Sequence, residues 1–397
     1  MLFRSRAPSE AFDALDEEGA PAWPASIDRA ALDPHFDTVE TMMGVRQATW
    51  DEVPKTGAVF AMLFDRMGLT CDRGRFPYED CRQCGFCEAG CRFDRKKSLL
   101  FNYIPAAEEQ GAQFRTEADV RTVAPHDGGF RVRYATSAGG AGEVWGRRVI
   151  VAANAIETPA LLLRSAADLP GLSEHVGLHL NNNGDVAWYW MLPEGRFPEF
   201  VHHKGRTNAV MISYAYWAEH RISIHTGCPP PAVISGLDIH REGGLPWGLE
   251  HKRLMHSIYR NRMLGALAIG LVPGWGRVRI DGDGNAKAAL PMTEGLRAYI
   301  NRVVGVAKEI GEANGAEVLR TSKDGYEHAD AHPLGTCRMG DDPARSVVDP
   351  LGQVHGQPGL FITDGSTLPG GTGVNPSLTI AANAERIAAH LATLGAP

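Results

Sequence analysis

The sequence predicts a mixed α/β protein (α+β mixed), in which one part contains a buried parallel strand and another part an antiparallel sheet. The chain has 397 residues, 44% of them hydrophobic and 22% charged, which suffices for two domains that share an extensive core. The segment VIVAA, residues 149–153, is apolar without alternation, as is typical of a strand buried on both faces. Residues 176–280 are rich in aromatic residues and histidines and contain short strand-like pieces such as HRISIHTG between prolines and glycines, which indicates antiparallel strands along a pocket.

Charge and composition exclude several classes of partner. The formal net charge is -7 and no run of Lys and Arg occurs, so neither a nucleic acid nor an acidic membrane surface is the expected ligand. A small neutral substrate fits this charge better. No stretch of about 18 apolar residues occurs, and the first twenty residues lack the apolar core of a secretory signal. These features predict a cytoplasmic protein without a membrane span.

Hydrophobic periodicity predicts the helices and strands in turn. The first helix has Ser26 as its expected N-cap, and its apolar face is formed by Ile27, Leu32, Phe36, Val39 and Met43. A short helix is predicted to run to Gly111 and a long one over residues 294–311. Strands are predicted at residues 119–123, 130–134 and 148–153, and Asp127-Gly128-Gly129 supplies the turn between the first two.

The third of these strands leads through NAIETP into ALLLRS, which has the composition of a helix. A strand, a tight turn and a helix together bring backbone NH groups to a phosphate. This turn lacks a glycine-rich fingerprint, so an ordinary buried strand and helix remains the alternative interpretation.

The C-terminal region carries a second helix start. Asn375 is the expected N-cap and Pro376 the expected first residue of a helix whose buried side chains would be Ile380, Ala384, Ile387, Leu391 and Leu394. A helix N-terminus has free NH groups and a partial positive charge, which suit an anion. The preceding segment GLFITDGS ends in Asp364 and Gly365, a small acidic turn that can lie against the sugar and phosphate part of a cofactor.

His332 is the candidate for acid–base chemistry. Histidine is the side-chain type suited to proton transfer at neutral pH, and this one is followed by a proline and a glycine that define a turn. Removal of a hydroxyl proton while hydride leaves the adjacent carbon requires such a base, and Asn375 is the candidate for holding the same oxygen. A core histidine and an ordinary capping asparagine remain the alternative.

Together these segments resemble a known family. HPLGTCRMGDDP, SVVD, FITDGSTLP and GVNPSLTIAANAERIA are similar to the C-terminal signature of the glucose-methanol-choline (GMC) flavoprotein oxidoreductases. VIVAANAIETPALLLRS resembles the family's second signature, with Asn154 where many members have glycine. Within the family the sequence is similar both to the cholesterol-oxidase-like branch and to the sugar dehydrogenases.

The resemblance implies an enzyme that oxidises the CH–OH group of a sugar, sterol or other alcohol by hydride transfer to FAD. It implies His332 as catalytic base and Asn375 as its catalytic partner. The residues that it places against FAD are Val120, Asn154, Asp364, Gly365, Asn375, Pro376 and Ser377, with Val120 at the adenine end. A reduced flavin is an anion of the kind that the helix start after Asn375 would favour.

The fold implied is an incomplete Rossmann-like FAD domain plus an antiparallel-sheet substrate domain. Residues 1–79 would be a lead segment of the substrate domain, 80–170 the middle of the FAD domain, 171–330 the substrate-binding domain and 331–397 the C-terminal FAD and catalytic segment. The sequence contains no GxGxxG segment of the kind with which the family begins. We therefore expect an N-terminally incomplete enzyme that alone binds FAD weakly or not at all. A start codon set too far downstream, a separate FAD-binding polypeptide or a decayed, inactive gene would each account for this.

A cysteine-rich segment suggests a second cofactor. CRQCGFCEAGC spaces Cys81, Cys84, Cys87 and Cys91 as C-x2-C-x2-C-x3-C, the spacing of bacterial ferredoxins. Arg92 stands where a proline usually follows, so an iron–sulfur cluster competes with reduced thiols packed beside the flavin domain. With a cluster, the chain would be an electron-transfer subunit or would pass electrons to an acceptor subunit.

Overall fold

The structure of the protein is a computed structural model that describes residues 5–87, 90–201, 204–205, 210–227, 247–259, 262–319 and 331–395. The α-helices of these residues, in chain order, are α1 (Arg29–Met43), α2 (Lys55–Asp65), α3 (Tyr103–Glu109), α4 (Asn154–Arg164), α5 (Trp217–His220), α6 (Leu249–Tyr259), α7 (Glu294–Asn314) and α8 (Ser377–Thr393). In the described residues, no helix is both long and apolar enough to cross a lipid bilayer.

The strands form several small sheets and one large one. In chain order they are β1 (Arg46–Gln47), β2 (Asp72–Arg73), β3 (Arg75–Phe76), β4 (Ala118–His126), β5 (Gly129–Thr136), β6 (Ala141–Gly146), β7 (Val149–Val151), β8 (Leu178–Leu180), β9 (Val186–Met191), β10 (Met211–Ser213), β11 (Ile222–Thr226), β12 (Met263–Gly270), β13 (Gly276–Ile280), β14 (Ala286–Ala289), β15 (Glu317–Leu319) and β16 (Leu360–Ile362). The large sheet has the order β15-β9-β12-β11-β10-β2, and its pairs are antiparallel.

One face of the large sheet forms one of the two large hydrophobic cores of the described residues. Alternate residues of β9, among them Trp188 and Trp190, pack with α2 and α7 because successive side chains of a strand point to opposite faces. Trp190 also donates its indole NH to the Ala307 carbonyl of α7 over 2.8 Å. Helix α7 begins at the N-cap Thr293 and ends at Gly315, which has the left-handed conformation that glycine favours.

The other large core contains the parallel pair β7–β16, in which Val149 lies opposite Leu360. The antiparallel meander β4-β5-β6 precedes it, and the tight turn between β4 and β5 has positive φ at Asp127 and Gly128, as a two-residue hairpin requires. Helices α1, α4 and α8 pack into the same core as this parallel pair.

The expected fold class is confirmed: a mixed α/β chain with a parallel strand unit and an antiparallel sheet. The N-cap of α1 is Asp28, whose carboxylate accepts the Ala31 NH over 2.7 Å, and not Ser26. A short aspartate directly before the first helical residue reaches that NH, whereas a serine two residues earlier lies outside the turn. The short helix predicted to reach Gly111 spans only α3.

The two cores also divide the N-terminal stretch. Residues of α1 pack with the parallel pair, whereas the buried residues between Ala48 and Tyr78 pack with the large sheet. The stretch 1–79 therefore contributes side chains to both cores. The four-segment division remains a prediction drawn from the family resemblance.

Candidate active site

His332 lies at the centre of a short chain of hydrogen-bonding side chains. Its Nδ1 is 2.9 Å from Oδ1 and 2.7 Å from Oδ2 of Asp185, and its Nε2 is 3.1 Å from Nδ2 of Asn375. The Asp185 side chain is fully buried and that of His332 is 13% exposed. The structure therefore brings both predicted catalytic residues into contact and adds a carboxylate to them.

Local pairing of two distant segments creates this arrangement. Asn181 and Leu334 form an isolated antiparallel bridge, with N–O distances of 3.1 and 3.0 Å. This bridge places the residues after Asn181 beside those around His332. Asn183 and Gly184 have positive φ, and this turn delivers Asp185 to the start of β9.

The loop of residues 370–375 is held from the other side by buried polar groups. Asn183 accepts the Thr372 NH over 2.6 Å and donates its side-chain NH to the Val374 carbonyl over 2.7 Å. The hydroxyl of Ser223, on β11, donates to the Gly373 carbonyl over 2.7 Å. These bonds position the loop that ends in Asn375.

Asn375 does not cap the last helix. Helix α8 begins at Ser377, and the Asn375 side chain points to His332 instead of to the helix NH groups. In the described residues its Oδ1 is buried without a hydrogen-bond partner. The buried face of α8 agrees with the prediction at Ile387 but not at Leu394, which is 43% exposed. The buried helix residues are Leu378, Thr379, Ala382, Asn383 and Ile387. The face is set by the packing of α1 against α8, which periodicity alone does not reveal.

Asp364 joins the second signature to the segment after β16. Its Oδ1 accepts the NH and hydroxyl of Ser366 over 2.9 and 2.5 Å, and its Oδ2 accepts the Asn154 NH and the Thr158 hydroxyl over 2.9 and 2.5 Å. An ionised carboxylate has about four lone-pair sites, so these donors fill its hydrogen-bonding capacity. Asp364 thereby fixes the start of α4 to the turn that follows β16.

The other residues predicted to contact a cofactor lie in two places. Asn154 and Gly365 follow β7 and β16, so both stand at the carboxyl edge of the parallel pair, where α/β proteins bind ligands. Pro376 and Ser377 form the start of α8. Val120 lies in β4 and packs at the margin of the nearby core. Asn154 itself is exposed with a φ of 72°, and its Oδ1 accepts the NH of Ile156 over 2.8 Å.

The four clustered cysteines are not brought together as a metal site. In the stretches that the structure describes, which include all four, no three His, Cys, Asp or Glu side chains are grouped so that they could hold a metal ion. Cys87 is buried in the core of the large sheet, whereas Cys91 accepts the Arg95 NH within its own turn. The expectation of an iron–sulfur cluster on Cys81, Cys84, Cys87 and Cys91 is thus not supported, because Cys87 is buried in a hydrophobic core while Cys91 is held within its own turn.

A second group of ionisable side chains ties the N-terminal segment to the segment of His332. His175 Nδ1 is 2.8 Å from His179 Nε2, and the two rings are stacked. His179 Nδ1 is 2.9 Å from Glu17, whose other oxygen is 3.2 Å from Arg338. Burial lowers the pKa of His175, and the charge of His179 lowers it further.

Asp185 is the functional candidate that the sequence did not reveal. It ends the run Asn181-Asn182-Asn183-Gly184-Asp185, whose composition indicates only a turn. Its partner His332 lies 147 residues further along the chain. The feature of the sequence that could have indicated Asp185 is a polar turn directly before a buried aromatic strand.

Comparisons with known proteins give the family. Two sequence profiles described as GMC oxidoreductase match residues 5–183 and 285–384. A 6'''-hydroxyparomomycin C oxidase of Streptomyces lividus is 30% identical over 64% of this chain and 47% of its own. A 2-methyl-1,2-propanediol dehydrogenase of Mycolicibacterium austroafricanum is 28% identical over 71% and 54%, and a cholesterol oxidase of Mycobacterium tuberculosis 27% identical over 78% and 58%. The chain spans about half the length of these relatives.

Solved structures agree on the fold. Pyridoxine 4-oxidase from Mesorbium loti superposes with a TM-score of 0.61 at 19% identity, covering 88% of this chain and 72% of its own. A variant of formate oxidase from Aspergillus oryzae RIB40 superposes with a TM-score of 0.64 at 14% identity, covering 98% and 82%. At such identities these likenesses concern the fold. The two profiles together span most of the chain, and the protein therefore belongs to the GMC oxidoreductase family.

Proposed function

We propose that this site oxidises the CH–OH group of a small neutral alcohol, with His332 as the base, Asn375 as the group that holds the substrate oxygen and FAD as the hydride acceptor. The observation that carries the proposal is the 3.1 Å contact between His332 Nε2 and Asn375 Nδ2, made by a histidine whose other nitrogen lies on a buried carboxylate. A lone pair and an amide NH side by side match the two polar atoms of a hydroxyl group.

The two side chains divide the work on that hydroxyl group. The substrate oxygen accepts a hydrogen bond from Asn375 Nδ2, while its proton points to His332 Nε2. When the neighbouring carbon loses hydride, Nε2 takes up the proton, and the Asp185 carboxylate stabilises the resulting imidazolium. The burial of Asn375, which is 4% exposed, keeps water from competing for these groups.

The site for FAD would lie at the carboxyl edge of the parallel pair. When bound, FAD would supply the acceptor for the hydride. Asn154 and Gly365 at the carboxyl edge of the parallel pair, together with Pro376 and Ser377 at the start of α8, are the groups that we propose to hold it, with Val120 at its adenine end. Gly365 lets the Ile380 side chain pack closely against the backbone, because a Cβ at this position would lie 3.0 Å from Ile380 Cδ1. Since its oxygens are already occupied, Asp364 would position these loops more than bind the cofactor directly.

The substrate class is an alcohol, and the relatives suggest which compounds to test first. The names of those proteins refer to paromamine, 2-methyl-1,2-propanediol, cholesterol and a long-chain alcohol. A chain with a net charge of -7 favours neutral compounds over anionic ones. An electron-acceptor subunit is a further candidate partner of the reduced enzyme.

Titration with FAD and stopped-flow reduction test the proposal. The purified chain is titrated with FAD, far beyond stoichiometric amounts, and the visible spectrum records binding. The loaded protein is then mixed anaerobically with paromamine, 2-methyl-1,2-propanediol, cholesterol and a long-chain alcohol. We expect one compound to bleach the flavin and His332→Ala to slow that step about 10²- to 10⁴-fold.

His126→Ala, which alters an exposed histidine in the meander, is the matched control and should leave the rate unchanged. A rate for His332→Ala within threefold of the parent would overturn the assignment of the base. Bound flavin that stays oxidised with all four compounds would overturn its assignment as the hydride acceptor.

A further inference from the structure

We propose that Asp185 is a positioning residue that holds His332 in the tautomer protonated on Nδ1, so that the lone pair of Nε2 is available to the substrate. This inference rests on the proposed function, because it concerns the same base. It adds a residue from a segment that neither family signature contains.

The hydrogen-bonding chemistry determines the tautomer. An ionised carboxylate accepts hydrogen bonds and cannot donate them, so the nitrogen at 2.7–2.9 Å from Asp185 must carry the proton. A neutral imidazole has a single NH, which leaves Nε2 with a lone pair. The amide NH of Asn375 then meets an acceptor over 3.1 Å.

Asn375 alone does not determine which nitrogen of His332 carries the proton. Its Oδ1 has no hydrogen-bond partner in the described residues, so the amide could present either its oxygen or its nitrogen to the imidazole. Rotation of the amide would satisfy the opposite tautomer equally well. Asp185, which can only accept, is therefore the group that selects the reactive form.

The turn before β9 holds Asp185 in place. The Asn182 carbonyl accepts the Asp185 NH over 3.2 Å, and the Gly184 carbonyl accepts the Tyr299 hydroxyl over 2.6 Å. Burial, and then the charge of Asp185, raise the pKa of Tyr299 well above its ordinary value, so this hydroxyl remains a donor. These hydrogen bonds fix the backbone that carries the Asp185 carboxylate next to His332.

A buried carboxylate is costly to keep for stability alone. Removing charges from water opposes folding, and a buried ion pair often contributes little net stability against an apolar replacement. A role in the chemistry explains why the carboxylate lies against this histidine. In a serine protease the corresponding Asp-to-Asn change costs about 10⁴ in kcat because the histidine takes the wrong tautomer.

Nitrogen NMR of the imidazole tests the proposal directly and without activity. The chain is labelled with ¹⁵N-histidine, and His332→Gln identifies the signals of His332. In the parent protein we expect Nδ1 to show the shift of a protonated nitrogen and Nε2 that of a bare one. In Asp185→Asn, whose amide can also donate, we expect the Nε2-protonated form to gain population.

The kinetic arm uses the FAD-loaded protein and its best substrate. We expect Asp185→Asn to slow flavin reduction by about 10²- to 10⁴-fold while KM changes little, because the substrate contacts are retained. Ser213→Ala is the matched control: it removes a part-buried hydrogen bond from β10 of the large sheet to the Thr70 carbonyl. It should preserve both the tautomer and the rate.

Two results would overturn the proposal. One is an Nε2-protonated His332 in the parent protein, which is decisive even if Asp185→Asn fails to fold. The other is a folded Asp185→Asn with an unchanged tautomer and a rate within threefold of the parent. Full activity of His332→Ala would instead reject the proposed function. The NMR measurement would still show whether Asp185 sets the tautomer of His332.

Discussion

Replacement of Gly184 by alanine tests how tightly the turn before Asp185 is constrained. Gly184 has a φ of +69°, and a Cβ at this position would lie 2.6 Å from the Tyr299 hydroxyl oxygen and 2.9 Å from the Gly270 nitrogen. Real Cβ contacts are longer than this, so the turn or its neighbours must shift. Asp185 is the next residue, and any shift moves its carboxylate relative to His332.

The expected cost has two parts. A left-handed backbone costs a non-glycine residue about 1–2 kcal/mol. Forcing extra atoms into a packed site adds about 1–3 kcal/mol. Gly184→Ala should therefore destabilise the protein by about 2–5 kcal/mol, which at about 2 °C per kcal/mol lowers Tm by about 4–10 °C.

Gly19→Ala isolates the backbone part of this cost. Gly19 has a φ of +81°, and nothing lies within 4 Å of a Cβ built there. We expect this variant to lose only about 1–2 kcal/mol, or about 2–4 °C in Tm. Differential scanning calorimetry of the parent and both variants at one pH measures the difference.

A double variant locates the contact. In Gly184→Ala/Tyr299→Phe the nearest oxygen is absent, so the loss should be smaller than the sum of the two single losses, although the Gly270 backbone still crowds the Cβ. Equal Tm losses for Gly184→Ala and Gly19→Ala would refute the reasoning. Strict additivity of the double variant would refute the role of Tyr299.

Three further predictions follow from the core and the titratable groups. Phe60 is fully buried with its ring 4.8 Å from that of Phe64, so Phe60→Ala should cost about 3–5 kcal/mol in urea unfolding, and a loss under about 1 kcal/mol would contradict the packing. Burial lowers the pKa of His175 in the folded protein. As the pH decreases below about 6.5, the unfolded chain therefore binds a proton before the folded chain does, and the free energy of unfolding decreases. His175→Gln should flatten the Tm–pH curve there, and an unchanged slope would argue against this. Partial burial acts to raise the pKa of Cys91, but backbone NH groups directed at its sulfur outweigh this and lower the pKa. Burial raises the pKa of Cys337. Iodoacetamide at pH 7 should therefore modify Cys91 well before Cys337 in peptide mass spectrometry; equal rates would contradict this.

The strand and helix units were largely predictable because they depend on local patterns. The meander turn at Asp127-Gly128 and the long helix α7 follow from short-range chemistry, and both were predicted close to their observed bounds. The capping residues were less predictable. Asn375 has the sequence context of an N-cap, but the approach of His332 offers its amide another partner.

The cysteine segment shows the limit of spacing as evidence. Ferredoxin-like spacing is compatible with a cluster only if the backbone folds around a common centre. Here Cys87 turns into the core of the large sheet, while Cys91 remains in its local turn. Burial of one thiol and local hydrogen bonding of another separate residues that are near in sequence.

The sequence by itself determined the family and the mixed α/β class and named His332 and Asn375 as candidate residues, because these depend on motifs that stay contiguous along the chain. Only the tertiary structure decided that Asp185 contacts His332, that Asp364 joins two loops and that the four clustered cysteines form no metal site in the described residues. The physical reason is that hydrogen bonds and burial join residues over long separations, 147 positions for Asp185 and His332 and 210 for Asn154 and Asp364, whereas sequence patterns report mainly on neighbours.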